Sequence, residues 1–326
     1  MKSSFVFLFI ALILTGCKKP TLLSQPNVPA NYSITIGITS DETSLDEKQI
    51  NEVFELLTAQ ADNNGIVCQS IVKSPQNHQI TFNIISQRTK NEEKDPGLDY
   101  FTKILSYKST LGFWDVYRNN DEPVRGVLLH LYEKYKLTER LPLIFSIFNS
   151  DSSYASAVLA EVAPENIPFL DSLFQLPEVV KTFPKDMVLA WSFYPVINQE
   201  GKSYFDLFAL KKSSKLGPYL RGKDLQDINV NREIGAKSVD IILDLKYYAA
   251  LILAEKSRWA AQNSKREIGI VVDGRVVIAP RVFDEIPNGR AVITGNFDME
   301  SASLMINKIK LSSLPIELKV LEAKKL

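Results

Sequence analysis

Two histidines, His78 and His130, are the side chains best suited to proton transfer or metal binding near neutral pH. They lie far apart in the sequence, and neither has the spacing of a metal site or a catalytic triad. The chain has no Gly-x-Ser-x-Gly, no phosphate-binding glycine loop and no Cys pair. Asp240 and Asp244 could form an acid–base pair, but among 38 acidic residues such a spacing is expected by chance. The residue types therefore point to no catalytic group, no cofactor and no metal. The thiol with a position that suggests chemistry is Cys17, at the end of an apolar run.

That run, Phe5 to Leu14, follows Lys2 and is too short to span a bilayer, which takes about 20 residues of helix. Residues 1–16 read as a secretory signal peptide. Leu14-Thr15-Gly16-Cys17 resembles the lipobox of bacterial lipoproteins, in which the cysteine is lipidated and becomes the first residue after cleavage. Cys17 is thus the expected lipidation site and the membrane, reached through that anchor, the first expected partner; two acyl chains suffice for stable anchoring. Residues 17–31, rich in Pro, Asn, Ser and Lys, read as a tether. The expected place is the cell envelope, extracytoplasmic, at the periplasmic face of the outer membrane or at the inner membrane. Lys18 and Lys19 do not form an Asp-type inner-membrane retention signal, which points toward the outer membrane.

Lys and Arg balance Asp and Glu at 38 each, so there is no basic field to attract nucleic acid. With Cys17 lipidated, Cys68 has no intrachain partner, and the fold must rest on core packing. At 45% hydrophobic residues the chain can bury two cores or more.

The elements follow from periodicity. Tyr32 to Ile38 alternates as a strand; Ser44 and Glu47 have capping-box spacing; Ile50, Val53, Phe54, Leu57 and Ala61 form one helical stripe. Strands are expected at 66–72 and 79–86 around Pro75-Gln76-Asn77, then a helix at 98–105 and a strand at 110–117. This β-α-β-β-α-β order over 32–120 is that of a ferredoxin-like unit. Residues 216–326 repeat the order: a strand at 238–243, a helix at 244–262, and a hairpin of 268–273 with 275–282 through Asp273-Gly274. Asn288-Gly289 makes a reversal into a strand at 291–294; Asp298 caps a helix with Ala302, Met305, Ile306 and Ile309 on one face; a last strand spans 316–321. Residues 121–215 read as an inserted mixed α/β subdomain, with helices at 124–135 and 165–180 and a long hairpin of 187–196 with 203–211. The expected class is α+β.

The segment Asp273-Gly274-Arg275-Val276, Ala279-Pro280-Arg281-Val282, Gly289-Arg290-Ala291 and Gly295-Asn296-Phe297, with Leu220 to Leu225 (LRGKDL) upstream and Leu314-Pro315 downstream, resembles the first periplasmic domain of SecD. The resemblance implies two ferredoxin-like units forming a periplasmic base with an inserted head subdomain. It also implies partners: unfolded preprotein, the Sec translocon or other envelope proteins. The family's transport depends on proton movement through transmembrane helices, and this sequence shows no such helices, so the binding half of that work is what the resemblance implies here.

Candidate contact residues follow. Arg290 either presents a charge to a partner or, with Gly289 serving the turn, pairs with Asp284 or Glu285; turn chemistry alone explains the spacing. Arg281 lies in the same motif. Pro280 marks a strand edge or bulge that could receive an added peptide strand. Trp191 and Phe193, within the set Phe145, Phe148, Trp191, Phe193, Tyr194, Phe205 and Phe208, either line an apolar groove or form a buried sheet face, the default for such residues. Helix 244–262, with Tyr247, Tyr248, Leu251, Ile252 and Trp259, reads as core for the same reason. The expected function is a non-catalytic binding or assembly module in protein export or envelope biogenesis. The alternative is a structural envelope lipoprotein whose partner is unrelated to secretion.

Overall fold

The stripe Ile50, Val53, Phe54, Leu57 and Ala61 is buried along helix α1 (Glu47–Asn63), as its spacing requires. The computed structural model describes residues 30–40, 45–85, 97–137, 144–145, 155–198, 200–213, 217–232 and 238–326. The leader, Cys17, most of the tether, Ser44, Phe148 and the side chain of Phe145 lie outside that set. The described capping box before α1 uses Asp46 and Gln49, whose side chains each accept the other's backbone N–H at 2.7 and 3.0 Å.

The chain divides into two compact units. The first holds a four-stranded sheet, ordered β16–β1–β3–β2, from β1 (Tyr32–Thr39), β2 (Cys68–Ser74), β3 (Gln79–Ile84) and β16 (Glu317–Lys325). β1 and β3 are antiparallel in the register Tyr32↔Ile84 to Gly37↔Gln79. Their alternating residues Ile34, Ile36, Ile80, Phe82 and Ile84 are buried. The β2–β3 hairpin turns through Pro75–Asn77 and closes at His78, φ 51°. Helix α2 (Gly97–Leu105) follows β3.

Strand β4 (Leu111–Tyr117) has the expected place in the chain but not in that sheet. It lies in the second unit, antiparallel to β13 (Ile268–Val272), β9 (Ser203–Lys211) and β10 (Leu220–Arg221). The physical reason is that β4 is apolar on both faces: Leu111 and Phe113 belong to one core, Val116 to another. Such a strand suits a sheet covered on both sides, and its periodicity does not say which sheet.

The remaining elements of this unit are α3 (Glu122–Lys134), β5 (Ile144–Phe145), β6 (Val158–Val162), α4 (Ile167–Phe174), α5 (Pro177–Val180), β7 (Met187–Trp191), β8 (Val196–Ile197), β11 (Leu225–Asn231), β12 (Val239–Leu245), α6 (Tyr247–Gln262), β14 (Arg275–Ile278), β15 (Arg290–Phe297) and α7 (Met299–Ser313). The large sheet runs β14–β13–β4–β9–β6–β5, with β7 on the far edge of β9. The end of β7 then returns to β14 through a parallel bridge, Ser192 to Val276, in which Phe193 N–H donates to Val276 O at 2.7 Å. Strands β14, β13, β4, β9 and β7 thus close a small ring. Val116, Ala190, Phe208, Leu210, Val271 and Val276 fill it. Closure removes the upper part of the β14 edge from solvent. The strands expected in the inserted subdomain share this sheet with those expected in the two end units.

The three-stranded sheet β11–β12–β15 packs with α6 and α7. Asp298 caps α7, accepting Ser301 N–H at 2.8 Å, and Ala302, Met305 and Ile309 face the core. Helix α6 overturns the expectation that its large residues are core. Ala249, Ala250, Leu253, Ala254, Ser257 and Ala260 are buried, while Tyr247, Tyr248, Leu251, Ile252 and Trp259 face solvent. Small residues let the helix approach its neighbours closely. At Gly289, φ 66°, an added Cβ would sit 2.4 Å from Ala250 Cβ.

Gly289→Ala combines that overlap with a left-handed backbone, so it should destabilise the chain by about 2–4 kcal/mol. Chemical denaturation reads this directly; a change below about 0.5 kcal/mol would show that the contact is not close.

Candidate interaction site

The motif residues that carry the SecD resemblance fold the chain before they can do anything else. Asp273 and Gly274 form the β13–β14 turn with φ 52° and 75°. The Asp273 carboxylate accepts from Thr110 N–H at 2.9 Å and Lys308 Nζ at 2.8 Å, tying the turn to the start of β4 and to α7. Arg290 pairs with Asp244, Nε to Oδ1 2.8 Å, across the β12–β15 register. That corrects the expected partners, Asp284 or Glu285; Glu285 is held by Arg258 at 2.7 Å instead. In Leu220 to Leu225, Gly222 passes so close to Ser312 that a Cβ would lie 2.5 Å from its carbonyl oxygen. Asp224 accepts Arg221 N–H at 2.7 Å and the Tyr248 hydroxyl at 2.6 Å.

At the end of β4, a charged cluster fixes the corner. Arg118 Nε contacts Glu267 Oε2 at 2.7 Å, with both side chains 5% exposed. The same guanidinium donates to the carbonyls of Ser264 and Lys265, consecutive residues at φ 62° and 53°. Glu267 also takes Arg281 Nε at 3.2 Å, and Arg281 donates to Ala155 O. Asp121 accepts from Arg266 and from Arg118 N–H. The Asp121 carboxyl is held below its ordinary range: burial opposes ionisation, and the bonds from Arg266 and Arg118 outweigh it.

This corner borders a groove of ≈ 440 Å³ whose walls are the lower edge of β14 (Val277, Ile278 and Ala279), Tyr194, Phe208, Asp206 and Arg281. It lies just past the bridge that closes the ring; beyond Val276 this edge of β14 has no strand partner among the described residues, while the other edge stays paired with β13. Pro280 follows β14 after a register shift between Ile270 and Val271, and its carbonyl still accepts from Ile268 N–H at 3.2 Å. Tyr194 packs at a tilt against Phe193 and edge-on against Phe297, with ring centroids at 4.9 and 5.6 Å. Val196 and Ile197 carry the apolar surface outward, Ile197 being 66% exposed.

Asp206 is the group that sequence reasoning missed. Burial, and then the charge of Glu161 directly across the β6–β9 register, pushes its carboxyl up to about 6. The signal was present: on β9, Asp206 shares a face with Phe208 and Leu210, where an acid is out of place.

Of the four residues singled out, the groove gathers Arg281 directly. Phe193 reaches it through its tilted ring contact with Tyr194. Trp191 does not enter; it is 8% exposed, and its indole N–H donates to Asp171 at 2.8 Å. Arg290 sits on the three-stranded sheet. Phe205 packs beside Trp191's core, with Arg275 over its ring at 5.8 Å. His78 lies in the β2–β3 turn and His130 on the exposed face of α3. Burial, then the charge of Asp62, pushes the Cys68 thiol up to about 12, which makes it a poor nucleophile. Among the described residues there is no cluster of three metal-ligating side chains, and no helix is long and apolar enough to cross a membrane.

Residues 200–316 match the family described as SecDF, P1 head subdomain. Protein translocase subunit SecD of Leptotrichia buccalis is 33% identical over 113 residues, covering 34% of this chain and 27% of that protein. Protein translocase subunit SecDF of Thermus thermophilus is 36% identical over 115 residues, covering 35% of this chain and 15% of that one. A crystal structure of SecDF in its super-membrane-facing form aligns with 94% of this chain and 32% of its own, at 18% identity and a TM-score of 0.39. The resemblance to the SecD periplasmic domain read from the hairpin motifs stands, and the match spans about a quarter of the length of the first curated relatives.

Two outcomes follow. Arg118→Ala would leave Glu267 buried with Arg281 as its remaining ion partner, and should cost about 3–5 kcal/mol in denaturant unfolding. A loss below about 1 kcal/mol would mean that water reaches the pair. For Asp206 the folded pKa lies above the unfolded value of 3.8, so the folded state binds the proton more tightly. Its contribution is therefore favourable in acid and is lost as pH rises from near 4 through about 6. Asp206→Asn should raise stability at pH 8 by about 1–2 kcal/mol, after allowing for partial exposure, and flatten the profile below pH 6. An unchanged profile would contradict the shift.

Proposed function

We propose that this chain, whose residues 200–316 are similar to the SecDF P1 head subdomain, is a lipid-anchored, extracytoplasmic, non-catalytic binding module in protein export or envelope biogenesis. The observation that carries this reading is the groove beside β14: an open strand edge flanked by aromatic side chains and by charges of both signs, Arg281 and Asp206. An extended polypeptide can add backbone hydrogen bonds to such an edge while its side chains rest on Tyr194 and Phe208. Binding of this kind reads main chain more than sequence, as a receptor for unfolded segments needs. The curated relatives are named as translocase subunits, which supports placing the partner among preproteins or Sec components.

The anchor is read from Leu14-Thr15-Gly16-Cys17. One ferredoxin-like unit, built from β1, α1, β2, β3 and α2 with β16 as its fourth strand, draws support from the order β16–β1–β3–β2. The expected units at 32–120 and 216–326 do not hold as bounded, since β4 joins the large sheet and the strands of 216–326 divide among three sheets. A structural envelope lipoprotein is the second reading, favoured by one observation: the motif residues Asp273, Arg281 and Arg290 are all engaged within the fold.

A photo-crosslinking residue at Ile197, exposed at the rim, should capture nascent secreted proteins or translocon subunits in cells. Capture of envelope proteins alone would favour the second reading. Failure to capture anything, where a SecD control succeeds, would remove the export role.

A further inference from the structure

Helix α6 turns its large apolar residues to solvent, with Tyr247 81%, Leu251 54% and Trp259 50% exposed and Tyr248 and Ile252 beside them. Tyr247 and Leu251 are one i, i+4 step apart and share one face; the next two steps along it are Glu255 and Trp259, so one acid separates the apolar pair from the indole. An exposed apolar face of this kind, Tyr247, Tyr248, Leu251 and Ile252 with Trp259 beyond Glu255, marks an interaction site on a monomer. Its mixture is informative: Tyr and Trp among Leu and Ile is the composition that settles at the boundary between hydrocarbon and water.

At its Trp259 end the stripe opens into a second groove, ≈ 680 Å³, with charged walls. Four of those charges neutralise one another, Lys256 with Asp115 at 2.6 Å and Arg266 with Asp121. The other four, Lys211, Lys212, Glu122 and Glu255, make no salt bridge among the described residues. A purely anionic or purely cationic ligand would meet as many like charges as opposite ones. A group carrying both signs would not: its anionic part can face Lys211 and Lys212, while its cationic part faces Glu255 and the Trp259 ring.

We propose that this face of α6 and its groove form a docking surface for a zwitterionic phospholipid bilayer, with the stripe at the acyl boundary and a phospholipid headgroup, phosphate and ammonium together, in the groove. The inference rests on the lipid-anchor reading for its setting. Between Cys17 and Ala30 the chain can extend about 45 Å at most, so an acylated protein stays within reach of the membrane surface. Docking then fixes an orientation that the anchor alone leaves free.

The test uses the full acylated chain in phosphatidylcholine vesicles with brominated acyl chains, which quench nearby tryptophan. Trp191 is buried and Trp114 partly buried against the core, and the difference between the parent and Trp259→Phe isolates the third indole. Trp259 should be quenched, Leu251→Ser should reduce that quenching about threefold or more, and phosphatidylglycerol vesicles at low salt should quench less than phosphatidylcholine. An unquenched Trp259 would overturn the proposal, as would stronger quenching with phosphatidylglycerol. Concentration-dependent self-association that shields Trp259 would assign the face to a second copy instead. The mass of the Cys17 peptide reads the anchor separately: acylation without quenching removes docking alone, and quenching without acylation removes the anchor alone.

Discussion

The buried pair of Arg118 and Glu267 is the constraint on which the larger unit depends. Taking both charges out of water is costly, and the cost is offset by the ion pair together with the bonds that Arg118 Nη2 donates and the second guanidinium, Arg281, that Glu267 accepts from. Arg118 ties the end of β4 to the start of β13 and holds two left-handed residues, Ser264 and Lys265, through their carbonyls. Glu267 in turn sets Arg281 at the mouth of the groove. One ion pair therefore couples strand registry, the turn that ends α6 and the placement of a candidate contact residue. Replacing both partners by apolar groups could keep the registry but would lose the charge beside the groove.

A second constraint is steric. The ring of β14, β13, β4, β9 and β7 leaves little interior space, and Gly269 passes within 3.1 Å of Val116 as judged from an added Cβ. Closure satisfies the edge of β14 as far as Val276 and leaves Val277 to Ala279 beside the groove. The same preference for small residues on packed faces explains α6. Its alanines are inside because the neighbouring turn at Gly289 approaches closely, and its aromatic residues are outside as a consequence.

Local structure was legible in the sequence wherever a local rule governs it. The Asp273-Gly274 hairpin, the Asp298 cap and the α1 stripe need only turn chemistry, an oxygen acceptor and a period of 3.6. Pairing between distant strands has no such signature, which is why β4 could be seen but not placed, and why β16 could not be matched to β1. Weighing residues by hydrophobicity misread α6, since close packing selects size as well as polarity. At the groove, Arg281 was visible from its motif, whereas Asp206 gains its character first from burial and then from Glu161, 45 positions away in sequence and directly across in register.

The central claim is that the lower edge of β14 receives an extended polypeptide. Amide hydrogen exchange of Val277 to Ala279 in the full chain, with and without an unfolded secretory polypeptide, tests it most directly. Exchange at these residues should slow on addition, together with that of Val196 and Ile197 at the rim. Unchanged exchange there, with protection appearing elsewhere on the molecule, would contradict the account.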